Sequence, residues 1–258
     1  MRVDEGEVRL YKLSVQWSWL LAPVALLGQL VARGQTIANA NDPGAVPRSE
    51  SRAQVEFRYE NPQLQPARYS FVIEEGGTGK FHSEPGLTPP PDTADYHPLP
   101  NSLDRSIQLS EAATSEIFAT ARSQGRFAIG CEDTRNKVAF QGTKQLSYQG
   151  ADGRGSCTYN WSKYPPIQKL TSLFESIAFT LEEGRRLEVE HKHDRLALDA
   201  ELGTLVDAVK SGEASEIENI RPVLQAIIDD EATLERAKSR AQKLLGGAEA
   251  NRAALPPM

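Results

Sequence analysis

The sequence predicts an α+β fold: an antiparallel sheet of about five or six strands, covered by helices and followed by a helical C-terminal extension. Three observations carry this. Between residues 54 and 164, short runs alternate apolar and polar residues, the period of half-buried strands. From Pro165 to about Val209 the period becomes three and four, that of a helix with one apolar face. Residues 216–245 continue that helical spacing with no return to strands.

Val55, Phe57 and Tyr59 alternate with Glu56 and Arg58, and Tyr69, Phe71 and Ile73 repeat the pattern. Glu75-Gly76-Gly77-Thr78 makes a turn, and Lys80-Phe81-His82 leads back out as a hairpin. Gly76 to Lys80 has the look of a phosphate-binding loop, but Glu74 stands where its first glycine belongs and Phe81 where its Ser or Thr belongs. A plain hairpin turn is expected. Residues 84–103 form a proline-rich loop in which Tyr96, His97 and Leu99 are best able to grip a ligand.

Residues 105–109 read as a short strand. Ser110 is a good helix N-cap, and Ala113, Ile117, Phe118 and Ala121 make the buried face of a helix that stops near Gln124-Gly125. Residues 137–140 and 144–149 read as strands joined at Gln141-Gly142-Thr143, and residues 156–161 as a third.

Pro165-Pro166 suit a helix start, because proline's missing N–H falls where helix donors are unpaired. Ile167, Leu170, Leu173, Phe174, Ile177, Ala178 and Leu181 then form one continuous face. Burying its large side chains is worth on the order of 10 kcal/mol as an upper estimate. Residues 187–194 also alternate like a strand. Stepping back from Leu198 through Asp194, His191 and Leu187 keeps the helical face, and helix is preferred. Two helical segments follow, over residues 216–229 and 231–245, with Ser215 and Asp230 as caps and Pro222 confined to a helix start or kink. Gly246-Gly247 is expected to stop the last one. The domain plan is thus a sheet domain over 54–164, a helical region over 165–246 whose first helix packs on the sheet, and a tail over 247–258.

Residues 17–32 are the one long uncharged apolar run, short of the roughly 20 residues a membrane helix needs. Ala38-Asn39-Ala40 follows, an A-x-A site of the kind signal peptidase accepts. Residues 1–40 are read as a secretory signal and 41–53 as a flexible leader, with an uncleaved anchor as the competing reading. The segment from Met1 to Lys12 is neutral, whereas signal sequences start positive; a start near Val8 would leave only Arg9 and Lys12. Export makes a Cys131–Cys157 disulfide the expected state, closing a loop worth about 3 kcal/mol in chain entropy.

Removing residues 1–40 leaves 25 basic against 32 acidic residues. That acidity gives no support to a nucleic-acid partner, nor to docking on anionic lipid. A membrane contact is expected only through the N-terminal segment, if it is retained.

His191, His193 and Asp194 are the candidate metal cluster. On a strand the histidines would share a face; on a helix, residues two apart diverge by roughly 200°. Arg185-Arg186 read as a salt-bridged helix surface rather than an anion site. No nucleophile elbow or zinc-type cysteine pair is present, and no motif implies a cofactor. Tyr148, Tyr159, Trp161 and Tyr164 are the candidate ligand or partner surface, unless they form the packed face of the sheet. Residues 196–245 offer helices for homo-oligomer formation.

Trp161-Ser162-Lys163, Ile167-Gln168-Lys169-Leu170, Phe174, Ile177-Ala178, Gly184-Arg185-Arg186-Leu187 and Leu198-Asp199-Ala200-Glu201-Leu202 together resemble a group of uncharacterised exported bacterial proteins, over roughly residues 55–245. The resemblance implies an envelope location and transfers no catalytic residue. The expected function is a periplasmic or secreted, non-catalytic binding or structural module, its partner an unknown protein or envelope component. The competing class is an envelope hydrolase or metal-binding protein using His191 and His193.

Overall fold

A computed structural model describes residues 52–86 and 101–253. The expectations for the signal segment, most of the leader, and Tyr96, His97 and Leu99 lie outside the described residues. Six strands form one antiparallel sheet: β1 (Gln54–Glu60), β2 (Arg68–Glu74), β3 (Thr78–Glu84), β4 (Leu103–Gln108), β5 (Thr143–Gly150) and β6 (Gly153–Tyr159). Their order across the sheet is β4-β3-β2-β1-β5-β6. Two helices cover one face, α1 (Glu111–Ser123) and α2 (Pro165–His193). Three more, α3 (Arg195–Ser211), α4 (Arg221–Asp229) and α5 (Glu235–Ala253), pack on α2 and on each other. The fold is α+β with a helical C-terminal part.

Alternation sets the inner face. Phe81, Phe71, Phe57, Leu146 and Cys157 lie in register as one row across five strands, all buried. Phe174 of α2 stacks on Phe57, with ring centroids 4.7 Å apart and planes within 4°. Phe118 of α1 meets Tyr148 edge-on at 6.4 Å. Ser110 caps α1 by accepting from the Ala113 N–H. Gly77 takes φ +82°, the left-handed conformation that the β2–β3 turn requires and that glycine adopts freely.

Helix holds through residue 193, as preferred from the sequence, and breaks for the single extended residue Asp194. The Asp194 side chain accepts from the N–H groups of Leu196 and Ala197, so it starts α3. Pro222 sits in the first turn of α4. Gly184 lies on the buried side of α2, where a Cβ would run into Ile220 of the 3-10 turn Ile217–Ile220; its lack of a side chain admits that turn.

Four expectations are corrected. Residues 137–140 are not a strand: the Asn160 side chain accepts from the Gln141 N–H at 2.6 Å and donates to the Ala139 carbonyl at 3.1 Å, so a side chain replaces a ladder. Gly246-Gly247 do not end the last helix, and α5 continues to Ala253. Ser215 caps nothing; it bonds Ser176 and Thr180 of α2. Asp230 does not cap α5 either: it closes a tight turn by accepting from the Ala232 N–H, and α5 begins at Glu235.

Cys131 and Cys157 form a disulfide, with Cα atoms 5.8 Å apart. It holds the segment before β5 along the free edge of β6. Just past the end of β6, Glu132 bridges Ser162, and the Asp133 N–H donates to the Trp161 carbonyl at 2.8 Å. These bonds, with that of the Lys163 N–H to the Cys131 carbonyl, pair the backbone that leaves β6. No helix among the described residues is long and apolar enough to cross a membrane.

Candidate functional site

The outer face of the sheet carries the polar half of every alternating pattern, and α1 and α2 leave it uncovered. One row runs Asp104–His82–Ser70–Arg58–Gln145–Thr158, a residue from each strand in register. Beside it a cavity of about 420 Å³ opens, lined by this row without Asp104 and by Glu56, Glu60, Arg68 and Glu84.

The charges interlock. His82 Nδ1 lies 2.9 Å from Asp104 and its Nε2 3.6 Å from Glu84. The hydrogen bond that His82 donates to Asp104 is the main cause that raises the His82 pKa above its usual value, with burial opposing it. Arg58 pairs with Glu56 at 2.6 Å, and Arg68 reaches Glu60 at 3.7 Å and Glu84 at 3.5 Å. Among the described residues nothing bonds the side chains of Ser70, Gln145 or Thr158, which leaves their hydroxyl and amide groups for a ligand.

Ser70, His82 and Asp104 are the residue types of a nucleophilic relay, set side by side on three strands. The surroundings work against that chemistry. His82 Nε2 is turned toward Glu84. Ser70 sits on an interior strand whose N–H groups are spent on the ladders to β1 and β3, so no backbone pair is left to hold an oxyanion. Interleaved charges and free neutral donors instead suit reversible binding of a polar ligand.

No protein-family model matches the chain, and no curated protein matches it. The site therefore rests on its own geometry.

The aromatic candidates are not brought together. Tyr148 and Tyr159 are 2% and 3% exposed on the inner face. Tyr148 donates to Asp152 at 2.5 Å, and Tyr159 shares a hydrogen bond with Thr171 of α2 at 2.7 Å. Burial raises both phenol pKa values. They are the packed face of the sheet, and the reading of them as a surface is withdrawn. Trp161 stays 36% exposed, and Tyr164 is half-buried with the Lys163 ammonium 5.1 Å from its ring.

His191, His193 and Asp194 do not converge. His191 Nε2 lies 3.0 Å from Asp230, Asp194 is spent on capping α3, and His193 is exposed. Among the described residues no group of His, Cys, Asp and Glu is arranged to hold a metal ion. Arg185 and Arg186 pair with Glu182 and Glu183 one turn back. The stripe Leu198, Leu202 and Leu205 of α3 is buried within the chain, whereas Leu196, Val209 and Leu234 in the same helical region are exposed.

The polar row was half visible in the sequence. Glu56, Arg58, Ser70 and His82 are the outward members of recognisable strands, but the register that aligns them comes from long-range pairing. Lys144, buried on the inner face, gave no signal at all.

Proposed function

We propose that this chain is an exported, non-catalytic binding module of the bacterial envelope, and that it engages a polar ligand or partner on the open face of its sheet. The observation that carries the reading is the row through His82, Ser70 and Arg58, uncovered among the described residues, with its cavity and its unspent neutral donors. Two further features support it. The A-x-A site after residues 17–32 supports export, and the Cys131–Cys157 disulfide suits an oxidising compartment. A hydrolase or metal protein built on His191 and His193 is disfavoured by their separation.

The test is the intact mass of the protein isolated from its host, before and after alkylation without reductant. A mass beginning at Asn41 with no alkylated cysteine is expected. A mass that keeps residues 17–32 and carries two alkylated thiols would overturn export and disulfide together. The binding face is tested separately by amide NMR with soluble peptidoglycan fragments and with a soluble extract of envelope proteins. Shifts confined to β1–β3 and β5, lost in Arg58→Ala/Arg68→Ala, are expected. Shifts centred on Trp161 and Tyr164 would move the site.

A further inference from the structure

A second concentration of charge lies between α2 and α3, away from the open face. Glu183, Arg186 and Glu190 are three and four residues apart on α2, so they share one side of the helix. After the one-residue break at Asp194, α3 packs back against that side and brings in Glu201. Arg186 lies 3.6 Å from Glu183 and 3.5 Å from Glu201. Two carboxyls thus share one guanidinium, with Glu190 one turn along the same side of α2. Glu183 is 6% exposed, and one oxygen each of Glu183 and Glu190 is buried with no donor.

The other nearby charges make the imbalance worse. Glu182 acts on Glu183, and Asp194 on Glu190. The basic groups on the surrounding elements are engaged elsewhere. Arg236 and Arg240 of α5 hold Asp199 at 2.5 and 2.7 Å. Arg221 of α4 holds Glu218 at 2.7 Å. His191 and Arg195 face Asp230. Three ionised carboxylates against one guanidinium, with two oxygens shut from water, is an arrangement a protein interior penalises steeply. A proton on one carboxyl relieves that excess of negative charge. A protonated carboxyl also supplies the donor that its neighbour's oxygen lacks.

We propose that Glu183, Arg186, Glu190 and Glu201 form a proton-operated joint: α3 stays closed on α2 while Glu183 and Glu190 keep a proton between them, and the pair loosens once both are ionised beside Glu201. Burial is the main cause that pushes Glu183 and Glu190 up to about 7 from 4.5; Glu201 adds to it and Arg186 opposes it. Because the folded value is raised, the joint's contribution is complete below about 4.5. It is lost as pH rises through about 7 and changes little beyond.

The experiment is thermal unfolding of the full chain from about pH 5 to about pH 8.5, with Glu183→Gln, Glu190→Gln and Glu201→Gln in parallel. Amide exchange across residues 195–211 is followed at both ends of the range. Relative to the glutamine variants, the wild-type Tm is expected to drop by about 5 °C or more over this range, and α3 to exchange faster at the alkaline end. Glutamine keeps the shape and cannot ionise, so each variant should flatten the curve. Taking the difference removes titrations elsewhere in the molecule. Parallel curves for wild type and the folded variants, or α3 exchange independent of pH once corrected for the intrinsic rate, would overturn the proposal. Three single variants keep the test open if one of them fails to fold.

Discussion

Lys144 shows how one side chain can organise a corner of the fold. It is 3% exposed, yet its ammonium is accounted for: it donates to the Gln141 carbonyl at 3.1 Å and the Asn160 carbonyl at 3.2 Å, and lies 5.4 Å from the Tyr59 ring centroid. Burial lowers its pKa, with Glu175 and Glu132 pulling the other way. Tyr59 itself donates to Gln141, so cation and phenol close the loop before β5 between them. Lys144→Met keeps the aliphatic stem, strips the Asn160 carbonyl of its Lys144 donor and leaves the Gln141 carbonyl with Tyr59 alone. It should cost about 1–3 kcal/mol in urea unfolding. A change within about 0.5 kcal/mol would mean that water replaces the ammonium freely.

At the scale of elements, Gly184 joins the long helix to the turn that crosses it. Gly184→Ala gains about 1 kcal/mol of helix propensity, and overpacking against the buried Ile220 costs about 1–3 kcal/mol. A net loss near 1 kcal/mol is expected. In an Ile220→Ala background the same change should become neutral or stabilising, and a double-mutant cycle reads the coupling directly. The sequence marked this glycine only as a gap in an apolar face. The strands and helices were legible wherever one face is apolar over several turns or pleats, as in β1, β2, α1 and α2. They were misread where side chains took over backbone duties. Asn160 satisfies residues 139–141 in place of a partner strand, and the helical ladder of α5 carries Gly246 and Gly247 past a local stop signal. The open-face row was legible as residue types but not as neighbours. Tyr148 and Tyr159 failed as a surface because alternation alone does not say which face the helices will cover.

At the scale of the whole molecule, α2 is the helix, among the described residues, that both layers share. Phe174, stacked on Phe57 and 5.3 Å from Phe71, faces the sheet, while Thr180 and Ser176 bond Ser215 and Gly184 receives Ile220 on the side of the C-terminal helices. Neither layer can bury its apolar face without this helix, so the sheet and the helical part should unfold as one unit. The layers carry separate probes. In a chain beginning at Asn41, Trp161 is the sole tryptophan and lies just past β6, whereas far-UV dichroism is dominated by the helices. Phe174→Ala removes a fully buried ring and should cost about 3–5 kcal/mol. It should shift the tryptophan and dichroism midpoints together, because the ring sits where the layers meet. If the layers were independent, the tryptophan midpoint would fall while the helical signal held. The open face would then belong to a sheet domain able to move without its helices.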